Sequence, residues 1–233
     1  GLYKKWLVSS IGRYYMNWYE QHIPQSVNKI YYSNPQDVVK YKLKYTEQEI
    51  LHFPNKVPSV EWKESNNARM EDTILFVGSL NYHPNEDAIY YLIKEIWPRI
   101  VYKKKNVKLI IAGSKPGKDI KSLIHQTESV SLVENPVVIK EVFDKASLLI
   151  VPLRLAGGTR IKVLQAFAYG VPVVSTSIGV TGIDVRHNET VMIGDDAADL
   201  ADYCVHLLND PSGIRTLTKK AHDFFTQNHS FHI

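Results

Sequence analysis

Leu148-Leu149-Ile150-Val151-Pro152-Leu153-Arg154-Leu155-Ala156-Gly157-Gly158-Thr159-Arg160-Ile161-Lys162, continuing through Val163-Leu164-Gln165-Ala166-Phe167-Ala168-Tyr169-Gly170 to Val171-Pro172-Val173-Val174-Ser175-Thr176, reads as strand, polar turn, helix and strand. Both strands are almost continuously apolar, the pattern of strands covered on both faces in a parallel sheet. All the polar character collects at the carboxyl end of the first strand, where open parallel sheets bind their ligands. Gly157 and Gly158 let backbone N–H groups approach a phosphate closely. The helix start adds free N–H groups and a positive dipole end, with Arg160 and Lys162 expected in its first turn. Cations at that end disfavour the isolated helix by about a few tenths of a kcal/mol each, so a bound anion is the simplest compensation. Lys162, Gln165 and Tyr169 are spaced three and four apart and share a side, while Ile161, Leu164, Phe167 and Ala168 cover the rest. Such a stripe offers cations to a diphosphate and an amide to a ribose hydroxyl; a helix edge that simply meets water is the competing reading.

Outward from this segment the alternation of strand and helix continues. Thr73 to Val77 is an apolar run expected to stop at Gly78, and Pro84-Asn85 open a helix. Its Ile89, Leu92, Ile93, Ile96, Trp97 and Ile100 recur on one side of a 3.6-residue period. Val107 to Ala112 is a strand ending at Gly113, followed by the turn Ser114-Lys115-Pro116-Gly117 and a helix. Val130 to Val133 adds a strand, Thr190 to Ile193 a weaker one, and Asp195 to Asn228 reads as two amphipathic helices broken at Asn209-Asp210-Pro211. The fold class is α/β: a Rossmann-like, doubly wound parallel sheet over residues 73–233. Ahead of it lie a helix from Met16 to Gln25, a strand Lys29 to Tyr32, a helix after Asn34-Pro35 and a strand Glu49 to His52. These elements make only a partial N-terminal α/β segment, assigned to residues 1–57. The prolines of Pro54 to Pro58 and the polar run Glu61 to Asp72 mark a linker, assigned to 58–72.

With 233 residues, 44% of them hydrophobic, the chain can bury one full core. Its net charge of +4 suits an anionic ligand but lacks the clustered positive stripe of a nucleic-acid binder. A single cysteine, Cys204, excludes an internal disulfide and a zinc site built on several thiolates, and points to a reducing compartment. Cys204 shares an apolar face with Leu200, Leu207 and Leu208 and reads as core filling. No apolar run approaches the roughly 20 residues of a membrane-spanning helix. The start, Gly1 to Glu20, mixes Trp6, Trp18 and tyrosines with Lys4, Lys5 and Arg13: a helix packed on protein, or one lying on a membrane surface. The glycine spacing fits neither a P-loop nor G-x-G-x-x-G, no D-x-D occurs, and the histidines show no metal-ligand spacing.

Phe76-Val77-Gly78-Ser79-Leu80 with Pro84-Asn85, and Gly157 through Thr176, resemble the group 1 (family 4) glycosyltransferases. Tyr31 to Asp37 and Pro54 to Val57 resemble the end of that family's N-terminal domain and its interdomain connection. The resemblance implies the GT-B architecture, two Rossmann-like domains across a cleft, and transfer with retention of anomeric configuration. It implies no metal and no cofactor, the substrate being a UDP-, GDP- or ADP-linked sugar. Carried over by position, Arg160 and Lys162 neutralise the donor diphosphate and stabilise the leaving group. Gly78 and Ser79 sit against phosphates or sugar, and Gly157, Gly158 and Thr159 belong to the donor loop. The family's Glu-x7-Glu pair falls on Gly157 and Gln165; Gln165 can still bond the ribose, whereas Gly157 has no side chain to act at the sugar. Ser79 stands where the usual arginine would be, in keeping with a relocation of positive charge to Arg160 and Lys162. The base is expected near Val133 to Pro136. The resemblance also implies a glycan or lipid-linked acceptor and no nucleic-acid partner. A cytoplasmic location follows, with peripheral membrane contact at the cytoplasmic face through an N-terminal domain expected before Gly1. On that expectation the chain is a truncated form, inactive alone. The two lost glutamates favour the alternative, a non-catalytic nucleotide-sugar-binding or interaction module.

Overall fold

The computed structural model describes residues 15, 18, 22, 26–60, 62, 72–155 and 160–231. Most of the helix expected over Met16 to Gln25 lies outside the described residues, although Tyr15, Trp18 and His22 are helical. Most of the expected linker, and Ala156 to Thr159, also lie outside them. The chain divides into two compact units between Pro54 and Asn55.

The first unit contains β1 (Lys29–Tyr32), α1 (Pro35–Lys44) and β2 (Glu49–His52). β1 and β2 pair in parallel from Lys29↔Glu49 to Tyr32↔His52. The Asn34 side chain accepts the Gln36 N–H, and Pro35 supplies a preset φ, so the helix starts where Asn34-Pro35 placed it. Val38, Tyr41 and Ile50 form a small core, with Tyr32, Tyr41 and Tyr45 stacked beside it.

The second unit is built on a parallel sheet of β4 (Thr73–Ser79), β5 (Lys108–Ser114), β6 (Val130–Glu134), β7 (Leu148–Val151), β8 (Val173–Ser175) and β9 (Met192–Ile193). Its order is β6-β5-β4-β7-β8-β9, so the winding reverses between β4 and β7. That reversal opens a crevice at the strands' carboxyl ends. β4 and β5 run farther than expected: Gly78↔Gly113 and Ser79↔Ser114 are still paired. Glycine here does not stop the strand. A Cβ on Gly113 would strike the Gly78 carbonyl, so the two backbones approach this closely only without side chains.

α2 (His83–Tyr91) passes through a π-helical turn, Leu92–Ile96, into α3 (Trp97–Lys103). The wider turn, closed by the Trp97 N–H on the Leu92 carbonyl, relieves the clash between the Pro98 ring and the backbone four residues earlier. Ile89, Leu92, Ile93, Ile96, Trp97 and Ile100 are all buried, as their spacing requires. α4 (Lys118–His125), α5 (Ile139–Phe143) and α6 (Ile161–Ala168) follow, then a 3₁₀ turn, Ile178–Val180. α7 (Ala197–Asn209) and α8 (Pro211–Asn228) are capped by the Asp196 and Asp210 carboxylates. Cys204 is fully buried on α7, and burial pushes its thiol pKa well up, consistent with core filling.

A two-residue strand β3 (Val57–Pro58) pairs in parallel with β10 (Ser230–Phe231), and His229 Nδ1 lies 3.0 Å from the Asn55 carbonyl. Val57 packs in the core of the second unit. The break therefore falls ahead of residue 57, because Asn55 to Pro58 are claimed by the end of α8 and β10.

Candidate donor-binding site

A cleft of about 380 Å³ opens at the carboxyl ends of β4 and β5, lined by Gly78, Gly113, Ser114, Asn135, Lys162 and Gln165 among others. Its floor is glycine for a steric reason. A Cβ on Gly78 would lie 2.7 Å from Asn85 Nδ2 and 3.0 Å from Lys162 Nζ. Asn135, in the left-handed region at φ 51°, closes the far side. Its N–H donates to the Gly113 carbonyl at 2.8 Å and its Oδ1 accepts the Lys115 N–H at 3.3 Å.

Lys162 is the second residue of α6 and reaches the carboxyl end of β4, an interior strand. Its ammonium donates to Asn85 Oδ1 at 2.9 Å and sits 4.9 Å from the centre of the Phe76 ring. Among the described residues it makes no ion pair. Burial, and next the charge of Arg160, bring its pKa down to about 7.

Arg160 is the N-cap residue of α6, so it precedes the first turn in which it was expected. It is buried, and its Nε donates to the Ile178 carbonyl at 3.3 Å. Burial lowers its pKa, opposed by the nearby Tyr82 phenol. The 3₁₀ turn that supplies this carbonyl is itself fixed. Thr176 Oγ1 donates to the Leu153 carbonyl at 2.6 Å and accepts the Gly179 N–H at 3.0 Å, while Asp195 accepts the Ser177 N–H and hydroxyl.

Of the other expected residues, Gly78 and Gln165 line the cleft with Lys162. Ser79 turns its hydroxyl to Asn81 Oδ1 at 2.8 Å and presents its carbonyl to Asn85. Tyr169 leaves the polar stripe to pack against Phe143, with ring centres 5.0 Å apart. Gly157, Gly158 and Thr159 lie outside the described residues. In the sequence Asn85 reads as a helix opener. Asn85 is only 6% exposed and stands one turn before Ile89 on the buried face, and that polar intrusion into an apolar period was the available signal. The described cleft lining contains no carboxylate, thiol or imidazole. Its chemistry is to bind and stabilise negative charge.

A family model described as Glycosyl transferases group 1 matches residues 71–210. An uncharacterized 44.6 kDa protein in the cps region of Klebsiella pneumoniae is 26% identical over 163 residues, which cover 67% of this chain and 42% of that protein. Among solved structures, TarM superposes with a TM-score of 0.77 at 18% identity, over 91% of this chain and 43% of its own. Anabaena Alr3699/HepE in complex with UDP and glucose gives 0.69 at 11% identity, over 88% and 60%. Sucrose-phosphate synthase of Thermosynechococcus elongatus gives 0.66 at 18% identity, over 87% and 54%. The parallel sheet is thus that of GT-B glycosyltransferases, and the chain spans under half the length of the Klebsiella relative and of TarM.

Proposed function

This chain belongs to the group 1 glycosyltransferases, and on that premise we propose that residues 73–233 bind the nucleotide-diphosphate-sugar donor of a retaining, metal-independent transferase of family 4. The observation that carries the reading is Lys162: a part-buried ammonium on the cleft wall, with one neutral acceptor and no ion pair among the described residues. Such a charge is poorly solvated, and a diphosphate is the ligand class that would compensate it best.

In this reading the diphosphate lies across Gly78, Lys162 and Arg160 at the start of α6. Gln165, whose amide faces the cleft, bonds the ribose. The edge formed by Ser114, Asn135 and Pro136 receives the base. As the bond from the anomeric carbon to the leaving oxygen breaks, negative charge grows on the terminal phosphate. Lys162 and Arg160 are held by Asn85 and Ile178 before reaction, so they stabilise that charge with little rearrangement. UDP is the favoured nucleotide, because HepE and the pneumococcal O-GlcNAc transferase GtfA were solved with it. Retention and a glycan or lipid-linked acceptor rest on the family resemblance. So do the assignment of the segment ahead of the break at Pro54 to the acceptor domain, with the connection following it, and action at the cytoplasmic face. Among the described residues no helix is long and apolar enough to cross a membrane.

Titration calorimetry with UDP, GDP and ADP tests the reading, repeated on a folded Arg160→Ala/Lys162→Ala variant. One nucleotide should bind, and at least about tenfold more weakly to the variant, the scale of lost charge-assisted contacts. A second reading, a non-catalytic binding module, is favoured by Gly157 and Gln165 at the glutamate positions. It predicts the same binding but no turnover when a longer protein containing the acceptor domain is assayed.

A further inference from the structure

We propose that Asn85 is a positioning residue of this site: its neutral amide fixes the Lys162 ammonium at the cleft wall while leaving that charge undivided for the donor diphosphate. The proposal rests on the donor-binding reading above. Asn85 is the third residue of α2 and is 6% exposed. Both ends of its amide are used: Nδ2 donates to the Ser79 carbonyl at 2.9 Å and Oδ1 accepts from Lys162 Nζ at 2.9 Å. The orientation is fixed by chemistry, since an ammonium only donates and a carbonyl only accepts. One side chain thus ties the turn after β4 to the start of α6.

Asparagine is distinctive here because it is uncharged. A carboxylate at this position would still hold Lys162 but would neutralise it and lose the donor to the Ser79 carbonyl, and a diphosphate would then have to displace a part-buried ion pair. With an amide, the ammonium keeps one neutral acceptor and the Phe76 ring face, and remains under-solvated. The groups around it agree with this. Among the described residues Arg160 is the charge that acts on Lys162, and it repels; the cleft lining from β5 and from residues 135–139 is uncharged, as is Gln165 on α6. Tyr82 acts on Arg160.

A diphosphate must hold Lys162 protonated, whereas the free ammonium titrates at about 7. Donor binding therefore takes up a proton above neutrality. UDP affinity should fall by up to about tenfold per unit as pH rises from about 7 to 9, by linkage. The nucleotide itself contributes little to that slope, its last phosphate ionisation lying near about pH 6.

The test measures UDP binding against pH for the wild-type chain, N85D and N85A, together with the titration of the lysine ε-carbons by NMR without nucleotide. A carboxylate in the first turn of α2 favours that helix, so N85D should fold; N85A keeps the site neutral if it does not. N85D should move the Lys162 titration up toward the ordinary lysine range, weaken UDP at least about tenfold at pH 7 and flatten the pH slope. N85A should weaken UDP about tenfold and retain the slope. The proposal is overturned if the Lys162 titration is the same in N85D, or if UDP binds both variants with the wild-type affinity and slope. If wild-type protein binds none of UDP, GDP and ADP while N85D still shifts Lys162, the donor reading fails and this role fails with it. If wild-type protein binds UDP and both variants behave like it, this proposal alone fails.

Discussion

Lys162 concentrates the conflict between stability and binding in a single residue. Its folded pKa of about 7 lies below the ordinary lysine value of 10.5, so between those values the unfolded chain holds the extra proton. Stability should therefore rise with pH from about 7 toward 10, and at or below neutrality the buried charge costs the fold. Lys162→Met, similar in volume and uncharged, should remove that slope and stabilise the protein at pH 6 by about 1–2 kcal/mol, raising Tm by about 2–8 °C. It should at the same time weaken UDP at least about tenfold. Thermal denaturation across pH, paired with titration of UDP, checks both signs. Arg160→Ala should also weaken UDP about tenfold, since it removes a cation from the start of α6. Arg160 and Lys162 were legible because cations at a helix start contradict the helix dipole, and Gln165 because its spacing puts it on the same side as Lys162. Asn85 was not, since an asparagine after a proline reads as ordinary helix-opening chemistry and its buried amide shows only when β4 and α6 are brought together.

At the scale of elements, the close pairing of β4 with β5 sets the cleft floor. Gly113→Ala would drive a methyl group into the Gly78 carbonyl, backbone that cannot move without separating the strands. The expected cost is about 2–4 kcal/mol, more than an ordinary overpacked position, read as a lower urea midpoint with unchanged m. A near-wild-type midpoint would mean that the strands part easily at Gly78. The long apolar strands and amphipathic helices were legible because periodicity needs length, and β4, β5 and α2 through α3 have it. The two-residue strands β3 and β10, the short α5 and the 3₁₀ turn carry no period of their own. Their conformations are set by tertiary partners: Val57 by Ser230, and Ile178 by the Thr176 and Ser177 bonds around it. The π-helical turn was likewise hidden, since the buried positions Ile89 to Ile100 keep the same spacing whether or not one turn is widened before Pro98.

At the scale of the whole molecule, strand order creates the site. β4 leads to β5 and β6 on one side, and the chain then returns to β7, β8 and β9 on the other. The start of α6, which follows β7, and the glycine pair of β4 and β5 are thereby brought to the same ends of the strands. Sequence alternation foretold a parallel sheet, but placing Lys162 beside Gly78 required the order, which no local pattern contains. Cys204 offers a probe of this unit's integrity. It is fully buried between α7 and the sheet, with its thiol pKa raised by burial. A thiol reagent should label it only as fast as the unit opens, and saturating UDP should slow that labelling if the nucleotide binds the folded state alone. Labelling at the rate of an exposed thiol would contradict the packing described.

A crystal structure with UDP tests the donor site most directly. The account predicts the diphosphate at the start of α6, with a phosphate oxygen within about 2.7–3.0 Å of Lys162 Nζ and the base against the edge of Ser114, Asn135 and Pro136. UDP bound away from the β4 and β5 carboxyl ends, or Lys162 still bonded only to Asn85 with the nucleotide present, would contradict it.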